Sequence, residues 1–243
     1  MMLNFTPRLY QETILATAVN YNTLVVLPTG LGKTAIAAML AAQRLKQYPY
    51  SKIIILAPTK PLAEQHMRVF QHYLSGDKSE GNSNQASAGE SNSVKSSSVK
   101  NSSSESAPDE NISTPSQPVS AEKSHSPQSF VLFTGEVSPE KRQDLWKEAQ
   151  FIFSTPQGME NDIIGSKIQL KDVSMICFDE AHRAVGEYSY NWIAKQYNKT
   201  AQHPRILGLT ASPGSDVETI AEVCKNLFIE EIEMRTESDP DVK

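Results

Sequence analysis

Short apolar runs of strand length alternate with longer segments of helical period along most of this 243-residue chain. Thr23–Leu27 (TLVVL) precedes Lys33–Tyr48, where Ile36, Met39 and Leu40 share one face among alanines. Lys52–Ala57 (KIIILA) precedes Pro61–Leu74, with Leu62, Gln65, His66 and Val69 at helical spacing. Phe130–Phe133 (FVLF), a helical Pro139–Ala149 and Phe151–Phe153 (FIF) follow further on. Val173–Phe178 (VSMICF) leads into a helical region through Trp192 to Tyr197. Arg205–Leu209 (RILGL) leads into a helix near Val217–Leu227, and Ile229–Met234 adds a last strand. Strands apolar on both faces and alternating with helices predict an α/β domain: a mainly parallel central sheet between two helical layers.

One stretch breaks this rhythm. Ser75–Ser129 holds 19 serines in 55 residues, no aromatic side chain, and only Val94, Val99, Ile112 and Val119 as branched aliphatics. It cannot bury enough apolar surface to offset the entropy of ordering it, so a disordered low-complexity insertion is expected between a helix and the next strand. Loop closure costs little more for a long loop than for a short one, so the core tolerates it there. Its composition does not distinguish a neutral insertion from a regulated or partner-binding one. Residues 1–74 and 130–236 then form one domain, with a sizeable core.

Charge adds one exclusion. The net charge is −5, and the Ser-rich stretch carries 4 Lys against 7 acidic residues. Without a broad basic face, any nucleic-acid contact has to be local. Cys177 and Cys224 stand in apolar surroundings and read as buried thiols of a reducing compartment. No apolar run approaches the ~20 residues of a membrane helix, and the first residues lack a signal-peptide pattern. A soluble cytoplasmic chain with no membrane partner is expected.

Two segments carry chemistry. Leu27-Pro28-Thr29-Gly30-Leu31-Gly32-Lys33-Thr34 joins a buried strand to a helix, which is the setting of a phosphate-binding loop. Gly30 and Gly32 let the backbone, with Pro28 and Thr29, approach phosphate oxygens, and the helix start adds unpaired N–H groups. Lys33 would neutralise the terminal phosphates of ATP, and the Thr34 hydroxyl would ligate Mg²⁺. The strict P-loop pattern fails at its first position, where Leu27 stands for glycine, so a Gly-rich helix cap remains the alternative. Asp179-Glu180-Ala181-His182 ends a second buried strand. Asp179 would reach Mg²⁺ and Glu180 would orient and deprotonate the attacking water. The alternative is a pair of solvated acids at a helix start. His182 has no His or Cys at zinc spacing, which argues against a zinc ligand; it is kept as a catalytic candidate beside Lys33, Asp179 and Glu180.

A third segment, Leu209-Thr210-Ala211-Ser212, again ends a strand. LPTGLGKT, DEAH and TAS together resemble motifs I, II and III of superfamily 2 helicases, where Leu at the first loop position is common. APTKPL (Ala57–Leu62) with Gln65 and His66, FTGEVSPEKR (Phe133–Arg142), STPQ (Ser154–Gln157) with Glu160-Asn161-Asp162, DEAHRAVGEYSY (Asp179–Tyr190) and GLTASPGS (Gly208–Ser215) resemble the archaeal Hef and Fanconi anaemia group M helicases. The resemblance covers residues 1–74 and 130–243, and the Ser-rich insertion departs from it.

The resemblance implies a three-layer, RecA-like P-loop domain. It also implies an ATP- and Mg²⁺-dependent motor on single-stranded or forked DNA, in an archaeal-type cytoplasmic setting. Gln11 resembles the glutamine that reads adenine; a solvated polar residue on the first helix is the alternative. Thr59, Lys60 and Pro61 look like motif Ia, Thr134 and Gly135 like the TG element, and Thr155 and Pro156 like motif Ib. In the family these line a strand path and hold the sugar-phosphate backbone without reading bases. Thr210 and Ser212 resemble the motif that couples hydrolysis to strand engagement. The roles of Arg183, Tyr188 and Tyr190 are left open.

The family continues into a second RecA-like domain whose arginines stabilise charge on the transferring phosphoryl group. No Q-x-x-G-R-x-x-R follows here, and residues 237–243 are expected to begin the linker to it. Two other readings stand beside the DNA motor: an RNA-directed superfamily 2 helicase domain, and a non-catalytic nucleotide-sensing half-motor serving as a binding module.

Overall fold

The structure, a computed structural model, describes residues 3–74, 129–212 and 217–242. Apart from Ser129, the Ser-rich stretch lies outside the described residues. Helix α1 spans Leu9–Asn20 and leads into strand β1, Thr23–Val26. Then follow α2 (Lys33–Gln47), β2 (Lys52–Leu56) and α3 (Lys60–Leu74). After the Ser-rich stretch come β3 (Phe130–Phe133), α4 (Pro139–Glu148), β4 (Phe151–Ser154) and α5 (Pro156–Ile164). The remaining elements are β5 (Val173–Asp179), a short 3-10 turn at Ala181–Arg183, α6 (Ser189–Thr200), β6 (Ile206–Thr210), α7 (Val217–Asn226) and β7 (Glu231–Met234).

The seven strands form one sheet in the order β3-β4-β2-β5-β6-β1-β7, with every neighbouring pair parallel. Side chains alternate between the two faces of a strand, so a strand buried on both sides feeds two cores. Ile53 and Ile55 of β2 pack with Tyr10, Ile14, Ile36 and Phe70 from α1, α2 and α3. Ile54 and Leu56 pack with Trp146, Met159, Ile193 and Val223 from α4 to α7. These are the three layers expected from the apolar runs.

Three local expectations are corrected. The buried side of α3 is Ala63, His66, Phe70 and Leu74, while Gln65 is exposed. Phe70 sets that rotation by meeting Phe151 and Phe153 edge-on, at ring-centroid distances of 6.1 and 5.4 Å. The last strand is the four-residue edge strand β7, with Ile232 and Met234 about half exposed, rather than a run buried on both faces. Cys177 is fully buried, whereas Cys224 is half-buried. Helix α5 did not show as a periodic run, because one of its three buried positions is the charged Asp162. No described helix is long and apolar enough to cross a membrane.

The strand order positions the site. Ligands of open α/β sheets bind beyond the C-terminal ends of the strands. At that edge the loops after β1, β5 and β6 are neighbours on one half of the sheet. Those after β2, β4 and β3 are neighbours on the other.

Candidate nucleotide and strand-binding site

The loop after β1 is shaped by two glycines in the left-handed region: Gly30 at φ 90° and Gly32 at φ 73°. Gly32 is also the N-cap of α2, and a Cβ there would stand 2.5 Å from the Gln11 side-chain nitrogen. Gln11 is therefore packed against the loop. It is only 6% exposed, which removes the solvated alternative, and its amide oxygen accepts the Arg8 N–H at 2.9 Å. The neighbouring Tyr10, also buried, donates its hydroxyl to the Leu31 carbonyl at 2.7 Å and pins the loop from below. Tyr10 was missed in the sequence, where it reads as one more apolar helix position.

Lys33 opens α2, and its ammonium donates to the carbonyls of Leu27 and Pro28, at 2.7 and 3.3 Å. Burial lowers its pKa, against the opposing pull of Glu180 and Asp179. Both acids of the second motif are thus close enough to be felt by the loop lysine. Asp179 ends β5 and is 7% exposed. Glu180 lies at φ 50°, ψ 51°, a left-handed conformation uncommon for a residue with a Cβ and associated with functional sites.

His66, on the buried side of α3, bridges the two motifs. Its Nε2 lies 2.8 Å from Asp179 Oδ2 and its Nδ1 lies 3.5 Å from Thr34 Oγ1. On the other side, His182 Nδ1 lies 3.0 Å from Thr210 Oγ1 and 3.4 Å from Glu180 Oε2. Thr210 donates its hydroxyl to the Ser212 carbonyl at 2.5 Å and accepts the Ser212 N–H at 3.2 Å. Its single proton being committed, the His182 contact requires a proton on Nδ1. The DEAH and TAS segments are thus joined through the His182 and Thr210 side chains.

Tyr190, left open at the sequence level, has a structural task. It is fully buried and donates its hydroxyl to the carbonyls of Asp179 at 2.7 Å and Leu56 at 3.2 Å. It fastens the ends of β5 and β2 together, one strand leading to the acids and the other to Thr59. Tyr188 packs edge-on against it.

On the other half of the edge, Thr59 and Pro61 are exposed at the start of α3, and Gly135 is exposed after β3. Lys60 pairs with Glu136 at 2.5 Å, joining the two loops. Thr155 caps α5 and stays partly accessible, but Thr134 and Pro156 are buried. Thr134 is a structural post: its carbonyl accepts Arg142 Nη1 at 3.2 Å. Arg142 also donates to the Val137 carbonyl and grips Asp162 of α5 with Nε and Nη2, both at 2.6 Å. This buried fork-to-fork pair locks the β3–α4 loop to α5.

The donors suit the groups expected. Thr34 and Asp179 offer the hydroxyl and carboxylate oxygens that Mg²⁺ prefers. The loop N–H groups, Lys33 and the start of α2 suit a polyphosphate. A separate cavity of about 270 Å³, lined by Tyr48, Lys171 and His203 among others, sits at the opposite, N-terminal ends of β2 and β5.

Fold and loop chemistry together place the chain among the RecA-like P-loop domains of superfamily 2 helicases. Residues 4–215 match the family described as Type III restriction enzyme, res subunit, and the chain belongs to that family. It is similar over its whole length to the solved helicase domain of Pyrococcus furiosus Hef. The identity is 42%, the TM-score is 0.75, and the match covers 100% of this chain and 42% of that one. It is 35% identical, over 97% of its length, to a Methanocaldococcus jannaschii protein provisionally named an ATP-dependent RNA helicase, covering 24% of that protein. It is 32% identical, over 96% of its length, to the Fanconi anemia group M protein homolog of Mus musculus, covering 9% of it. The chain therefore spans about a quarter or less of these two relatives. The resemblance to Hef and group M helicases read from the motifs is borne out.

Proposed function

We propose that residues 1–74 and 130–236 form the ATP-binding first lobe of a DNA helicase or translocase that acts on forked or branched strands. The observation that carries this reading is the division of the sheet edge. The loops after β1, β5 and β6 hold the nucleotide chemistry, and those after β2, β3 and β4 hold the candidate strand contacts. One rigid sheet presents both.

In this reading the glycine loop wraps the phosphates of ATP, and Lys33 exchanges its carbonyl partners for phosphate oxygens. Gln11, held against the loop, faces the base. Thr34 and Asp179 hold Mg²⁺, which when bound neutralises charge on the terminal phosphates. Glu180 orients the attacking water and takes its proton. His182 and Thr210 report the state of Glu180 to the TAS segment. Thr59, Lys60, Gly135 and Thr155 hold a sugar-phosphate backbone, with Thr134 and Pro156 supporting them from within. A second RecA-like domain supplies the arginine that stabilises the transferring phosphoryl group, a contribution of about 10³–10⁵ in rate. Alone, this chain binds ATP weakly and turns it over slowly or not at all.

The test is ATPase activity with a second lobe supplied, comparing forked DNA with duplex RNA. Stimulation by forked DNA is expected. Stimulation by RNA alone would reject the DNA reading and favour the RNA-directed one.

A further inference from the structure

His66 is 8% exposed and polar on both sides of its ring, in a helix face otherwise made of Ala63, Phe70 and Leu74. A core position would be filled more cheaply by an apolar side chain, since each buried ring nitrogen needs a partner. Both have one, and the partners are the two groups suited to Mg²⁺: Thr34 at Nδ1 and Asp179 at Nε2.

The protons fix how this bridge works. An ionised carboxylate only accepts, so the 2.8 Å contact to Asp179 Oδ2 puts the ring proton on Nε2. In the neutral ring with that proton, Nδ1 is an acceptor, and the Thr34 hydroxyl 3.5 Å away is placed to donate to it. A hydroxyl that ligates a cation has to point its O–H away from the metal, and Nδ1 can accept that hydrogen bond. Asp179 Oδ2 is anchored, and Oδ1 has no hydrogen-bond partner among the described residues.

We propose that His66 is a positioning residue for the metal–nucleotide complex, orienting the Thr34 hydroxyl and the Asp179 carboxylate so that their oxygen lone pairs remain available to one cation. This rests on the nucleotide reading above. It adds to that reading a residue from the helix that begins at Lys60, in the candidate strand path. Groups that orient metal-binding side chains commonly affect metal affinity by about 10–100-fold.

The test titrates a fluorescent ATP analogue into the full chain, with Mg²⁺ and with EDTA. His66→Phe keeps ring size and burial but offers neither proton nor lone pair. It is expected to bind like the unaltered chain in EDTA and to lose about 10–100-fold in apparent Mg²⁺ affinity. His66→Gln retains one donor and one acceptor and is expected to recover most of that loss, which a packing role would not produce. Unchanged Mg²⁺ dependence in His66→Phe overturns the proposal, as does a His66→Gln variant no better than His66→Phe. If His66→Phe melts below the assay temperature, His66→Leu, which also offers neither proton nor lone pair, takes its place, with the same expected loss and the same overturning result. Lys33→Ala separates the two ideas: if it binds like the unaltered chain, the nucleotide reading itself fails. If Lys33→Ala alone is impaired, only the role of His66 fails.

Discussion

Replacing Asp162 by alanine should be among the most destabilising single changes in this domain that touch no apolar side chain. Asp162 is 2% exposed and Arg142 8% exposed, and they share two contacts of 2.6 Å. In Asp162→Ala the guanidinium keeps the Thr134 and Val137 carbonyls through Nη1, but Nε and Nη2 are left buried without partners. Breaking a buried ion pair from one side costs about 3–5 kcal/mol, because the remaining charge is desolvated and uncompensated. For a domain of this size each kcal/mol lowers Tm by about 2–4 °C, so a drop of about 6–20 °C is expected. Urea unfolding followed by circular dichroism reads the same loss as a lower midpoint at unchanged slope. The double variant Arg142→Met, Asp162→Leu should recover much of it, since an apolar pair of similar volume carries no desolvation debt. A loss below about 1 kcal/mol for Asp162→Ala, or a double variant no more stable than the single one, would refute the buried clamp.

Further outcomes are expected at Glu180, Tyr190 and the two cysteines. Glu180→Gln should leave nucleotide affinity unchanged and block turnover in the motor with its second lobe, while Glu180→Gly should raise stability by about 1 kcal/mol through relief of the left-handed backbone; equilibrium unfolding checks the second half. Tyr190→Phe removes the hydroxyl from two buried carbonyls and should cost about 1–3 kcal/mol in the same assay, with looser strand binding as the β2 and β5 ends separate. Burial raises the Cys224 thiol pKa, so the folded state holds that proton more tightly than the unfolded one. Its contribution to stability is complete below the ordinary thiol value of about 8.5 and is lost as pH rises from there towards the raised value. A thiol reagent at pH 8 should modify Cys224 slowly, and the fully buried Cys177 only on unfolding.

The sheet and the nucleotide motifs were legible because they rest on local signals. Runs such as Ile53–Leu56 are apolar on both faces, and only a strand between two helical layers tolerates that. Gly30, Gly32, Lys33 and Thr34 are spaced by the reach of one backbone turn, so their pattern survives in the sequence. The supporting groups are assembled across the fold and leave no spacing to read. His66 meets Asp179 across 113 positions, Tyr190 meets the Leu56 carbonyl across 134, and Arg142 meets Asp162 from another helix. The same reason explains the rotated face of α3. Its orientation is set by Phe151 and Phe153, rings on a strand that the sequence places beyond the Ser-rich stretch. The residues proposed for the strand path divide similarly: Thr59 and Gly135 stand on the surface, but only packing shows that Thr134 and Pro156 face inward.

The central claim is that the loop from Leu27 to Thr34 is a phosphate cradle. Calorimetric titration of ATP with Mg²⁺ into the unaltered chain and into Lys33→Ala tests it most directly. Removing one charge-assisted contact of about 1.5–3 kcal/mol predicts a loss of affinity of at least about tenfold, with the fold intact by circular dichroism. Equal affinity in the two proteins would contradict the account.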